Sequence, residues 1–165
     1  MRAIENTAVA AAFEAFSPKT RTGVLALREV IFDTAQATPS ALPLQEALRW
    51  GQPAYLSSRG STIRLGRHKS ACFALFVHCQ SRLLTDFRSV FPDKDRVDSN
   101  RAVLFDNPDQ IDQTRQGWLI ARALTYHLRR RLRSTLRLAL SFLRFELTAL
   151  RLVERPGVPR ERGKA

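Results

Sequence analysis

The chain has 165 residues, 27 Lys and Arg against 15 Asp and Glu, a formal net charge of +12 and only two cysteines. That length suits one domain with a real core plus an appendage, and two thiols are too few for a disulfide framework. No stretch reaches about 18 uninterrupted apolar residues, and the N-terminus has no charged region leading into an apolar run, so the chain reads as soluble and cytoplasmic.

Residues 3–16 place Ile4, Ala8, Ala12 and Phe16 at helical spacing and predict a first helix. Ser17-Pro18 is a helix-start signal, and Val24, Leu27, Ile31 and Ala35 carry a second helix to about Ala37. Thr38-Pro39-Ser40 breaks it. Leu44, Ala47 and Leu48 then predict a short third helix, stopped at Trp50-Gly51 by glycine in the left-handed conformation. From there the period becomes two. Residues 54–57 and 61–65 flank a hairpin turn at Ser58-Arg59-Gly60, and 71–79 read as a central strand. That strand carries Phe73, Leu75, Val77 and Cys79 on one side and Cys72, Ala74, Phe76 and His78 on the other. A helix follows over 81–90, then an Asp-rich loop, a short strand over 102–105, and a last helix opened by Asn107-Pro108-Asp109.

Several of these segments resemble the YdhG-like family. They are the run from Arg49 to Tyr55, the hairpin strand Ser61 to Gly66, the strand Phe73 to Gln80, Asn100 to Asp106, and Ala123 to His127. The resemblance covers about residues 20–128 and implies an α+β fold, an antiparallel sheet with N-terminal helices packed on it. It also implies a possible iron-chaperone role resembling that of frataxin, and iron enters only through this resemblance. Such a role needs surface carboxylates. Here the one acidic cluster is Asp93, Asp95 and Asp98.

No phosphate cradle, nucleophile elbow, paired Cys-x-x-Cys or His-Glu-x-x-His motif is present, so no catalytic residue, metal ligand or cofactor is predicted. Trp50, Gln52, Pro53 and Tyr55 have two readings. Either they line a ligand groove, or, as the commoner outcome, the two aromatics anchor a helix-to-strand corner in the core with Pro53 at a strand start. Arg64, His78, Arg101 and His127 are further candidates for a convergent anion site. Cys72 and Cys79 read as buried structural thiols, and the Asp93 to Asn100 loop as a solvated loop, since it lacks the glycine and glutamate an EF-hand requires.

Charge is unevenly spread. Residues 1–128 hold 16 basic and 12 acidic side chains, and residues 129–165 hold 11 and 3. The sequence therefore divides into an α+β domain over 1–128, a basic amphipathic helix over 129–153 and a disordered basic tail over 154–165. In the helix Leu136, Leu140, Leu143, Leu147 and Leu150 keep a coiled-coil spacing, with Arg130, Arg137, Arg144 and Arg151 beside the seam. This predicts helix-mediated association, with a membrane surface or nucleic acid as the other candidate partners. The expected function is a non-enzymatic module that binds a small ligand or a protein partner. An iron chaperone and a small enzyme without a recognisable motif are the alternatives.

Overall fold

A computed structural model describes residues 2–128. Its first helix, α1 (Thr7–Glu14), starts where the Asn6 side chain accepts from the N–H groups of Ala8 and Val9. It buries Val9 and Phe13 rather than the Ile4, Ala8, Ala12, Phe16 stripe expected from spacing. In α2 (Pro18–Gln36) the expected face Val24, Leu27, Ile31 and Ala35 is buried, with Arg28 buried beside it. Ser17 precedes α2 without capping it, its hydroxyl donating to Thr20 Oγ1 instead.

The expected third helix is a strand. Leu44–Arg49 forms β1, paired in full antiparallel register with β2 (Gln52–Ser57). Gln, Glu, Ala, Leu and Arg are all good helix formers, but propensity is a weak prior against tertiary pairing. The alternation was hidden because one inward position is Glu46, which is satisfied by Arg28 on α2 at 2.7 and 3.0 Å. Gly51 is therefore a hairpin-turn residue, not a helix cap: Trp50 and Gly51 both have positive φ, +51° and +72°, the pattern of a type I′ turn.

The sheet continues through β3 (Ile63–His68), β4 (Ala71–Phe76), β5 (Arg96–Asp98) and β6 (Ala102–Phe105), in the order β1-β2-β3-β4-β6-β5, every pair antiparallel. Strand β4 is central as expected but ends at Phe76, which puts His78 and the exposed Cys79 in the loop beyond it. The Asp-rich loop is not wholly solvated. It contains the edge strand β5, and Asp95 is held by Arg115 and Gln116 at 2.7 and 2.9 Å. Helix α3 (Leu83–Val90) matches its prediction, whereas Asn107 opens a short 3₁₀ turn and α4 (Gln113–Leu124) starts later, capped by Asp112.

One sheet face, with Tyr55, Ile63, Leu65, Phe73, Leu75, Val103 and Phe105, shares a core with Val9, Phe13, Val24, Leu27, Ile31, Leu119 and Ile120 of the helices. This is a two-layer α+β arrangement. The helix α2 lies close because position 23 is glycine; a Cβ there would come within 2.3 Å of the Phe73 ring. On the opposite sheet face Ala74, Ala102, Leu104 and Phe76 form a separate small cluster. Among the described residues no helix is long and apolar enough to cross a membrane. The helix expected over 129–153 and the tail over 154–165 lie outside the described residues.

Candidate functional site

Side chains alternate across strands, so pairing Ala54 with Arg64 and Arg64 with Phe76 puts Gln52, Arg64 and Phe76 on the sheet face opposite the helices. The β1–β2 turn adds Trp50 at their edge. Trp50 is 80 % exposed, and its left-handed backbone disfavours any side chain by about 1–2 kcal/mol. Turns of this type ordinarily carry Asn, Asp or Gly at that place.

The Arg64 guanidinium lies 5.0 Å from the Trp50 ring centre and 5.6 Å from that of Phe76. Both distances are within cation–π range. Its Nη1 donates to Gln52 Oε1 at 2.8 Å. Gly66 makes that bond possible, since a Cβ at position 66 would come within 2.6 Å of Gln52 Nε2. Burial pulls the Arg64 pKa below its ordinary value, while the nearby Cys79 thiol works the other way.

Comparison with two other arginines defines what is unusual here. Arg28 uses its Nε and Nη2 fork to grip both oxygens of Glu46, and Arg115 uses the same fork on Asp95. The equivalent fork of Arg64 has no protein acceptor among the described residues. A partly desolvated fork between two aromatic faces is suited to a carboxylate or phosphate, which it meets with two parallel hydrogen bonds.

The expected site residues thus separate. Trp50, Gln52 and Arg64 come together. Pro53 and Tyr55 are buried on the helix side, so of the two aromatics only Tyr55 takes the core role and Trp50 does not. Tyr55 packs edge-on to Phe32 at 5.9 Å, and its hydroxyl is buried with no hydrogen bond of good geometry. Burial first, and then the charge of Glu46, push its pKa well above the usual value. His78 is exposed, with Nδ1 accepting from the Gln80 N–H at 3.3 Å. Arg101 is exposed and its carbonyl accepts from the Val77 N–H. His127 is exposed beside the β2–β3 turn, its N–H donating to the Arg59 carbonyl. No bond among the described residues joins these three side chains to Arg64. Arg130, Arg137, Arg144 and Arg151 lie outside the described residues.

Sequence reasoning missed a second polar group on the same face. His68 Nε2 lies 3.1 Å from Asp98 Oδ2, reaching across a part of the sheet where Ala74 and Ala102 leave room. The His68 ring is 6.2 Å from that of Phe76, so Phe76 borders both groups. The one available signal was His68-Lys69-Ser70 at a hairpin turn, and nothing in the sequence linked it to Asp98.

A cavity of about 610 Å³ lies between the N-terminal segment, α2 and β1, lined by Arg2, Arg28, Phe32 and Glu46 among others. Its arginines are occupied: Arg28 holds Glu46, Glu29 and the carbonyls of Arg2 and Ala3, and Arg2 holds Glu29 and Asp33. Among the described residues no three His, Cys, Asp or Glu side chains are grouped to hold a metal ion. No protein-family model, curated protein or solved structure matches the chain.

Proposed function

We infer that the protein is a ligand-binding module of the YdhG-like type, whose sheet face opposite the helices takes a small molecule with one anionic group and a flat apolar body. The observation that carries this reading is the Arg64 fork, half-buried, over the Trp50 and Phe76 rings and without a carboxylate partner among the described residues. The anionic group meets Nε and Nη2, and the flat body lies on exposed indole. Gln52 contributes by fixing the guanidinium in plane rather than by touching the ligand. Stacking and charge at one place give such a ligand two independent sources of affinity.

Benzoate, a flat ring bearing one carboxylate, is the probe. Titrated against the full chain and followed by heteronuclear NMR, it is expected to move the Trp50 indole N–H and Arg64 Nε–H resonances together, and Arg64→Met is expected to abolish both shifts. Shifts that are absent, scattered over the surface or unchanged in Arg64→Met overturn the reading. For the iron-chaperone alternative, no three His, Cys, Asp or Glu side chains are grouped among the described residues.

A further inference from the structure

The polar group around His68 has a geometry that ligand binding at Arg64 does not use. Ser70 Oγ lies 3.0 Å from His68 Nδ1, and His68 Nε2 lies 3.1 Å from Asp98 Oδ2. The Ser70 backbone N–H also points at Nδ1, at 3.3 Å. Two donors facing Nδ1 mark it as the acceptor nitrogen, which leaves the proton on Nε2 to be donated to Asp98. Ser99 Oγ donates to the other Asp98 oxygen at 3.3 Å, so the carboxylate is itself oriented. The His68 side chain is only 9 % exposed, whereas Ser70 at the hairpin tip is open to solvent.

A hydroxyl bonded to a neutral imidazole, which in turn is bonded to a carboxylate, is the arrangement that activates a serine nucleophile on unrelated folds; it is recognised by roles, not by sequence order. We propose that Ser70, His68 and Asp98 form a nucleophile, base and orienting carboxylate that accept an acyl group from an activated ester presented from solvent. In the first step the Ser70 Oγ–H proton passes to His68 Nδ1 as Oγ bonds to the carbonyl carbon. The tetrahedral adduct collapses, the carbon–oxygen bond to the alcohol breaks, and the alcohol departs with the electron pair. Asp98 stabilises the imidazolium until its proton leaves with that group or to solvent. In the second step water attacks the acyl-serine, His68 Nδ1 takes the water proton and returns it to Ser70 Oγ, and the acid is released.

The exposed position sets the scale. The hairpin tip does not exclude water, so the acceleration expected is that of general-base assistance alone, about a hundredfold to ten-thousandfold, rather than that of a full enzyme. The inference stands independently of the Arg64 site, since it shares no acting side chain with it.

The test uses p-nitrophenyl acetate on the full chain, with release of p-nitrophenolate timed and the acetylated peptide located by mass spectrometry. The expected result is acetylation of Ser70 ahead of other serines, lost in Ser70→Ala and slowed at least a hundredfold in His68→Gln. Asp98→Asn is expected to slow it less than His68→Gln does. Because His68→Gln alters the hairpin, Ser70→Thr serves as the second variant, retaining a hydroxyl and hence detectable labelling. Acetylation confined to Cys79, lysines or the N-terminus, or labelling of Ser70 at an unchanged rate in His68→Gln, overturns the proposal.

Discussion

Replacing Arg28 by methionine tests the claim that this arginine belongs to the fold, not to a binding site. The side chain is 1 % exposed, and all five of its N–H groups are used: two on Glu46, one on Glu29, and one each on the carbonyls of Arg2 and Ala3. Methionine fills much of the volume but leaves the Glu46 carboxylate, itself only 10 % exposed, without its counter-charge. It also removes the bonds from α2 to the carbonyls of Arg2 and Ala3, leaving the Arg2 ion pairs with Glu29 and Asp33 to hold the N-terminal segment. Breaking a buried pair from one side costs about 3–5 kcal/mol, a large part of the stability of a single domain. Urea unfolding followed by tryptophan fluorescence reads this as a lower midpoint at constant slope. The double variant Arg28→Met, Glu46→Leu is expected to recover a substantial fraction, because the uncompensated charge is gone. A loss below about 1 kcal/mol for Arg28→Met, or no recovery in the double variant, refutes the reasoning.

The other arginine should behave oppositely: Arg64→Met keeps the aromatic packing, and its unfolding free energy is expected to stay within about 1 kcal/mol of the parent while benzoate binding is lost, a combination read by urea melts and NMR titration. Gly66→Ala pushes the Gln52 amide out of place, so benzoate affinity is expected to fall severalfold with little change in melting temperature; an unchanged affinity would show that Gln52 does not orient Arg64. Gly23→Ala drives a methyl into the Phe73 ring and is expected to cost about 1–3 kcal/mol in the same urea assay. The hydrogen bond from His68 holds the Asp98 carboxyl below the usual range, against a smaller opposing effect of burial. A depressed folded value means that the stabilisation is present above the unfolded carboxyl pKa, about 3.9, and disappears as pH falls through the folded value. The midpoints of the parent and Asp98→Asn are therefore expected to differ at neutral pH and converge in acid, and a pH-independent difference would contradict the pairing.

Much of the layout was legible from the chain. Helix α2 and helix α3, the central strand β4 and the β2–β3 hairpin follow from apolar periodicity and turn residues, which are local properties that survive whatever the neighbours are. Trp50, Gln52 and Arg64 stood among the candidate residues, but in two separate groups, Trp50 and Gln52 with Pro53 and Tyr55, and Arg64 with His78, Arg101 and His127. What the chain did not reveal are the places where a long-range partner overrides a local preference. Strand β1 carries helix-forming residues and an inward Glu46, and only Arg28, 18 positions away, makes that glutamate acceptable in a sheet. Arg96, Val97 and Asp98 gave a loop pattern because three residues are too few for alternation to register, and pairing with β6 decides the strand. His68 and Asp98 meet across 30 positions of sequence, and Ala74 and Ala102 leave the room between them. Composition and period fix which residues seek burial, because those depend on each side chain and its near neighbours. Which charges find a partner, and which guanidinium is left with an open fork, depends on strand order and register, and those exist only once the sheet has closed.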